Sequence, residues 1–247
     1  MWFLKHELNF NFMQLFYNSE IKQEDKTFTF DKEESKHIIK VLRKKEGDTI
    51  HITNGLGFLF ISEVTIASER KCEVQIKETQ FFEPNDYNLH IAVAPTKNND
   101  RIEWFLEKAT EIGINEITPI ICDHSERKVY KKERGEKIIQ AAMKQSLHFY
   151  IPVINDPVPF SEFIKKEFSA HKFIAHCEET ERKSFKNEVK PKQDILILIG
   201  PEGDFSTKEI NSAIQNNYKP VTLGSTRLRT ETAALVACHT TALINEE

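Results

Sequence analysis

The chain has 247 residues, 39% hydrophobic and 29% charged, with 18 Phe and a formal net charge of -4. That composition supports an ordinary globular core and excludes a disordered, collagen-like or low-complexity chain. An acidic balance also excludes a protein that coats nucleic acid by bulk charge, so any RNA contact needs local basic patches.

Residues 1–12, MWFLKHELNFNF, contain Lys5, His6 and Glu7 and no small-residue cleavage site, unlike a signal peptide. The apolar run ILILI at 195–199 falls far short of the roughly 20 residues of a membrane span, and a cytoplasmic protein with no membrane partner is expected. From Thr27 to about Thr79 the pattern is short and β-rich, with Cys72, Val74 and Ile76 alternating in CEVQIKET. Asn54-Gly55 between two such runs fits a tight hairpin turn. One helix interrupts them. Asp31 can cap it, Glu34 can complete a capping box, and Ile38, Ile39 and Leu42 face inward. These elements predict a small barrel or sheet with one helix, and the polar break FFEPND at 81–86 puts a domain boundary between 13–84 and 85–247.

Beyond the break, strands alternate with helical stretches, the rhythm of a parallel sheet covered by helices. Leu89, Ile91 and Val93 alternate as a strand, and Ile102, Phe105, Leu106, Ala109 and Ile112 recur at helical spacing until Gly113. EITPIIC, KFIAH, ILILI and KPVTL are further strands, and the unbroken ILILI reads as a central strand buried on both faces. Cys72, Cys122, Cys177 and Cys238 stand singly, with no CxxC pair, and are expected as buried free thiols with no metal.

Only eight glycines occur, and Gly200, Gly203 and Gly224 directly follow strands. Ligands of open α/β sheets bind beyond the carboxyl ends of the strands, so these loops are cofactor candidates, although ordinary turn chemistry explains either alone. Neither GxxxxGK[ST] nor GxGxxG is present, and Glu202 and Asp204 would repel a polyphosphate. A cofactor without phosphate and with a positive centre, such as S-adenosylmethionine, suits that loop. Arg227, Arg229 and Glu231 follow the last glycine at the entrance to a helix, either as a surface ion pair or within reach of the ligand. Two basic runs, around Lys36, Lys40 and Arg43 and around Arg127 and Lys128, are RNA-binding candidates or solvated helix faces.

The strings LILIGPEGDFSTKEI and LGSTRLRTETAALVA, with APTKNNDRIEWFLEKATEIGINEITPII and AAMKQS, resemble the signatures of the ribosomal RNA small subunit methyltransferase E family, within the SPOUT superfamily. The likeness runs from Met13, where MQLFYNSE resembles the family's start, to the C-terminus, and leaves 1–12 as a non-family leader. It implies an α/β protein with an N-terminal PUA-like RNA-binding β-barrel domain and a C-terminal SPOUT methyltransferase domain carrying a trefoil knot. Implied with these are a homodimer, S-adenosyl-L-methionine as cofactor, and methylation of N3 of one uridine in 16S ribosomal RNA, within the small subunit. The cofactor residues it implies are Ala175, His176, Ile199, Gly200, Pro201, Gly203, Leu223, Gly224, Leu228 and Thr232. Arg229 and Glu231 would carry catalysis, and Lys97, Arg101 and Arg127 match basic positions for RNA. Thr226 stands where the family string has arginine, with Arg227 next, and Leu147 replaces an arginine after Gln145-Ser146. The competing reading is a non-catalytic RNA-binding protein of ribosome assembly with a relict cofactor site.

Overall fold

The computed structural model describes residues 13–179 and 181–246, so the leader at 1–12 lies outside the described residues. The chain divides into two units: one ends at Pro84 and also takes in Met143–Ile151, and the other holds Asn85–Ala142 and Pro152–Glu247.

In the first unit, β1 (Leu15–Tyr17), β2 (Thr27–Thr29), β3 (Thr49–Thr53), β4 (Phe58–Ser68) and β5 (Lys71–Phe81) form a sheet in the order β1-β3-β4-β5-β2. β1 runs parallel to β3 and every other pair is antiparallel. Alternation buries Ile50, Ile52, Phe60, Val64, Cys72 and Val74 against Phe16, Phe30 and Ile38. Asp31 caps as expected, accepting from the Glu34 amide at 2.8 Å, but α1 (Lys32–Lys36) lasts five residues and gives way to a π turn over His37–Val41. Ser35 accounts for the tight start. Its hydroxyl donates to Phe30 O and accepts from the Cys72 amide, pinning the helix to β5, and the wider turn then keeps Ile38 in the core.

Two expectations are corrected in this unit. The β3–β4 connection is a four-residue loop rather than a tight two-residue turn, with Gly55 and Gly57 at φ 75° and 90°. Leu56 in that loop bridges Tyr150, the Gly57 amide donates to Phe149 O at 2.9 Å, and the Ile151 amide donates to Gly55 O at 3.0 Å. Phe149 is buried beside Leu15 and Leu59. Residues 143–151, expected in the second domain, therefore complete the first unit, and a Cβ on Gly57 would overlap the Tyr150 phenol.

The second unit contains β6 (Leu89–Val93), α2 (Asn99–Ile112), β7 (Glu116–Ile121) and α3 (Lys132–Gln145), whose last residues from Met143 count with the first unit. Then come β8 (Val153–Ile154), β9 (Val158–Pro159), α4 (Phe160–Phe163), β10 (His171–Ala175), β11 (Lys183–Ser184) and α5 (Phe185–Glu188). The last elements are β12 (Ile195–Ile199), α6 (Thr207–Gln215), β13 (Lys219–Thr222) and α7 (Thr230–Ile244). The sheet order is β11-β13-β10-β12-β6-β7-β8, and its pairs are parallel. ILILI is β12, buried at all five positions between β10 and β6. Gly113 ends α2 at φ 107°, and Ser206 and Glu209 make both halves of a capping box on α6. Strand order reverses around β12, and α7 packs on α2, β6 and β12. After β13 the chain must therefore cross the carboxyl ends of β10 and β12 to reach α7, and a cleft opens at such a crossing.

Candidate functional site

Three loops leave the carboxyl ends of β10, β12 and β13 and enclose a cleft with two lobes of about 260 and 300 Å³. Ala175 and Leu228 line both lobes; His176, Leu223 and Gly224 line the first, and Ile199, Gly200 and Pro201 the second. Arg182 and Thr222 in the first lobe, and Asp204 in the second, are lining residues that the sequence reading did not assign.

Backbone and carboxylate bonds tie the loops together. Asp204, at φ 65°, accepts from the Cys177 amide at 2.7 Å, so the loop after β12 clamps the loop after β10. Thr230 at the start of α7 donates to Gly200 O at 3.0 Å, and Glu202 Oε1 accepts from the Lys97 amide at 2.9 Å. Asp204 thus acts as a brace as well as a negative charge. Arg182 donates to His176 O. His176 is buried, and neither of its ring nitrogens has a partner among the described residues. Burial, and next the Arg182 charge, push its pKa below 6.5 against the opposing pull of Asp204 and Glu178.

Two expected cofactor residues, Gly203 and Thr232, line neither lobe. Gly203 is exposed, and a Cβ there would sit 3.2 Å from the His124 Cβ rather than in the cleft. His124 Nδ1 lies 3.2 Å from Gly203 O and 3.1 Å from Asp204 O; both carbonyls only accept, so this nitrogen carries the proton and braces the loop from outside. Gly200 is needed for a local reason, because a Cβ would lie 3.0 Å from the Phe205 ring. Gly224 has open space where a Cβ would be. Cys177, expected buried, is exposed at the cleft, while Cys72, Cys122 and Cys238 are buried.

Arg229 is exposed, precedes α7 as its N-cap and lines the second lobe. Glu231 lies one residue inside α7, lines neither lobe and is buried, with Oε1 3.8 Å from Arg101 Nε and Oε2 unpartnered among the described residues. Lys97, Arg127 and Lys128 line one open depression with Glu126 and Val129. Within it Arg127 donates to Thr96 O and Lys97 O at 3.1 and 2.7 Å, and Lys97 pairs with Glu126 at 2.8 Å. In the first unit, Lys36 and Lys40 are exposed on α1 and the π turn, and Arg43, at φ 57°, shares a hollow with Lys44 and Lys45.

A separate hollow of about 440 Å³ lies by the amino ends of β6 and β7. Four of its polar side chains are linked to one another: His90 Nε2 lies 2.7 Å from Thr118 Oγ1, and Asn155 donates to Glu116 and Thr118 at 2.7 and 2.8 Å. Burial pushes His90 down to about 4, outweighing Glu116. This is a closed structural network. Among the described residues, no three of His, Cys, Asp and Glu are placed to hold a metal ion, and no helix is long and apolar enough to cross a membrane.

Residues 83–242 match an RNA methyltransferase domain family, and residues 30–77 an RNA methyltransferase PUA domain. A Buchnera aphidicola (subsp. Acyrthosiphon pisum) ribosomal RNA small subunit methyltransferase E is 30% identical over 219 residues, 85% of each chain. A probable rRNA-methyltransferase from Porphyromonas gingivalis is 40% identical and superimposes with a TM-score of 0.87 over 94% of this chain and 98% of its own. A Legionella pneumophila protein, solved in complex with the bound cofactor SAM, is 26% identical, with a TM-score of 0.83 over 94% and 98% of the two chains.

Proposed function

Because this chain belongs to the ribosomal RNA small subunit methyltransferase E family, we propose that its second unit methylates 16S ribosomal RNA from S-adenosylmethionine, at N3 of one uridine. The observation that carries this reading is the cleft at the carboxyl ends of β10, β12 and β13. Its residues fit the cofactor: Val221, Leu223, Leu228 and Ala233 offer apolar wall, Glu202 and Asp204 suit a positive centre, and the buried His176 nitrogens want a partner. When bound, the cofactor supplies an electrophilic methyl group on a sulfonium.

The chain's own residues then have to make uridine N3 a nucleophile. That nitrogen holds a proton and its lone pair is drawn into the ring amide, so the anion must be favoured. A cation near the ring oxygens does this at about 1.36 kcal/mol per unit of pKa lowered. Arg229 is assigned that task, which its exposure on the wall of the second lobe supports. Glu231 is the carboxylate assigned to take the proton; its unpartnered Oε2 supports the role, while its burial behind Arg101, off the lobe walls, means that the start of α7 has to open for it to reach a base. The depression at Lys97 and Lys128 and the Lys36, Lys40 and Arg43 face of the PUA-like unit provide local positive charge for phosphates, which an acidic chain otherwise lacks. Arg101 holds Glu231 and Arg127 holds the turn after β6, so both act on RNA through position.

The return of the chain from β13 across β10 and β12 supports a trefoil knot, and the same reading takes the protein as a homodimer working in the cytoplasm. The decisive experiment is single-turnover methyl transfer to small ribosomal subunits. Arg229→Ala should bind the cofactor within a few-fold while the rate falls about a hundredfold, and Glu231→Gln should flatten the pH dependence. Equal loss of affinity and rate in Arg229→Ala would make that arginine a brace. A wild-type protein that S-adenosylmethionine does not stabilise against heat would favour the non-catalytic RNA-binding reading.

A further inference from the structure

His176 follows the last residue of β10, is 4% exposed and lines the first lobe. A neutral imidazole has one donor and one acceptor, and a buried group that leaves either unmade loses its hydration without compensation. Both ring nitrogens are in that condition among the described residues. The backbone on either side is nevertheless fixed, by Arg182 on His176 O and by Asp204 on the Cys177 amide. A ring so held, with no partner among the described residues, is placed for a ligand. We propose that the His176 side chain hydrogen-bonds the nucleoside half of S-adenosylmethionine, so that cofactor binding is coupled to protonation of this ring. The inference deepens the cofactor assignment and rests on it.

The charges around the ring select its form and its target. Arg182 comes from its own loop and Arg227 from the loop after β13, both lining the same lobe; Glu178 and, from the loop after β12, Asp204 oppose them. Burial and Arg182 together prevail, and the ring is neutral at neutral pH. Hydroxyl and amino groups of a nucleoside match one donor and one acceptor, whereas a carboxylate is better met by the two guanidinium groups. A hydrogen bond that uses the ring's lone pair lowers its pKa further on binding. Affinity should then fall as pH drops through the pKa of the unliganded ring, which lies below 6.5, and binding there should release protons.

Calorimetry with S-adenosylhomocysteine, which keeps the nucleoside and lacks the sulfonium charge, tests this between pH 7.5 and 4.5. The wild type should lose up to about tenfold in affinity per pH unit at the acid end, with proton release seen as a buffer-dependent heat. His176→Asn keeps a donor and an acceptor, and should bind within about fivefold with a flat profile over this range. His176→Phe should lose about thirtyfold or more while melting as the wild type does. A flat wild-type profile, or a Phe variant that binds within twofold of wild type, overturns the proposal. A wild type that binds no S-adenosylhomocysteine at pH 7.5 overturns the cofactor assignment and this inference together.

Discussion

Asp204 was visible in the sequence only as a charge that a polyphosphate would avoid, yet its main work is geometric. At φ 65° it sits where Asn, Asp and Gly are tolerated, and its carboxylate accepts from the Cys177 and Phe205 amides at 2.7 and 2.8 Å. A charged acceptor on a backbone amide is worth about 1.5–3 kcal/mol. Asp204→Gly removes the clamp and keeps the backbone angle, and should weaken S-adenosylhomocysteine binding about tenfold or more while lowering the melting temperature by several degrees. Asp204→Asn, which retains one acceptor, should lie between. Calorimetry on the two variants checks this, and a glycine variant that binds as the wild type does would show that the loops hold without the clamp. Arg182 left no trace in the sequence. It lies among the charged residues of ERKS, and only the fold of the loop after β10 brings it to the cleft.

At the scale of elements, β6 and β7 are joined by side chains as well as by the ladder. His90 on β6 reaches Thr118 on β7, and Asn155, just beyond β8, closes the group onto Glu116 and Thr118. Phe163 and Phe168 stand edge-on to the His90 ring, and its burial disfavours the charged form. With its pKa down at about 4 in the fold and near 6.5 in the unfolded chain, His90 is neutral in the fold at pH 5–6 while the unfolded chain gains a proton. Its effect is therefore absent above pH 6.5, and stability falls as pH drops from 6.5 toward 4, by up to about 1.4 kcal/mol per pH unit. His51 and His176 shift in the same direction and add to the slope. Denaturant unfolding at pH 7, 6 and 5 should show this acid loss, and His90→Gln should reduce its slope; an unchanged slope would remove His90 from the account.

For the whole molecule, the second unit combines a crossing of the chain over the strand ends with α7 seated beside α2. The proposed homodimer makes a simple prediction: light scattering at micromolar concentration should give twice the mass of one chain, and a stable, active monomer would refute it. The two-unit plan was legible from the change of rhythm at FFEPND, since hydrophobic period reports the secondary structure of each stretch. The place of 143–151 was not. Its helical pattern continues α3, while the pairing of Leu56 with Tyr150 and the burial of Phe149 beside Leu15 depend on residues about 90 to 130 positions away.

By itself the sequence determined the class of sheet in each unit, the central place of ILILI, the Ser206–Glu209 cap, and the two glycine-bearing loops of the cleft, after β12 and β13, because periodicity, capping and scarce glycine act over a few residues; the loop after β10 was reached only through the family strings. It also carried the family through its strings. Tertiary structure alone decided which side chains face the cleft: it moved Gly203 to an outer face against His124, put Glu231 behind Arg101, exposed Cys177, and left the His176 ring buried without a partner among the described residues. Those outcomes depend on contacts between loops far apart in the chain, where one residue's direction is set by another element's surface.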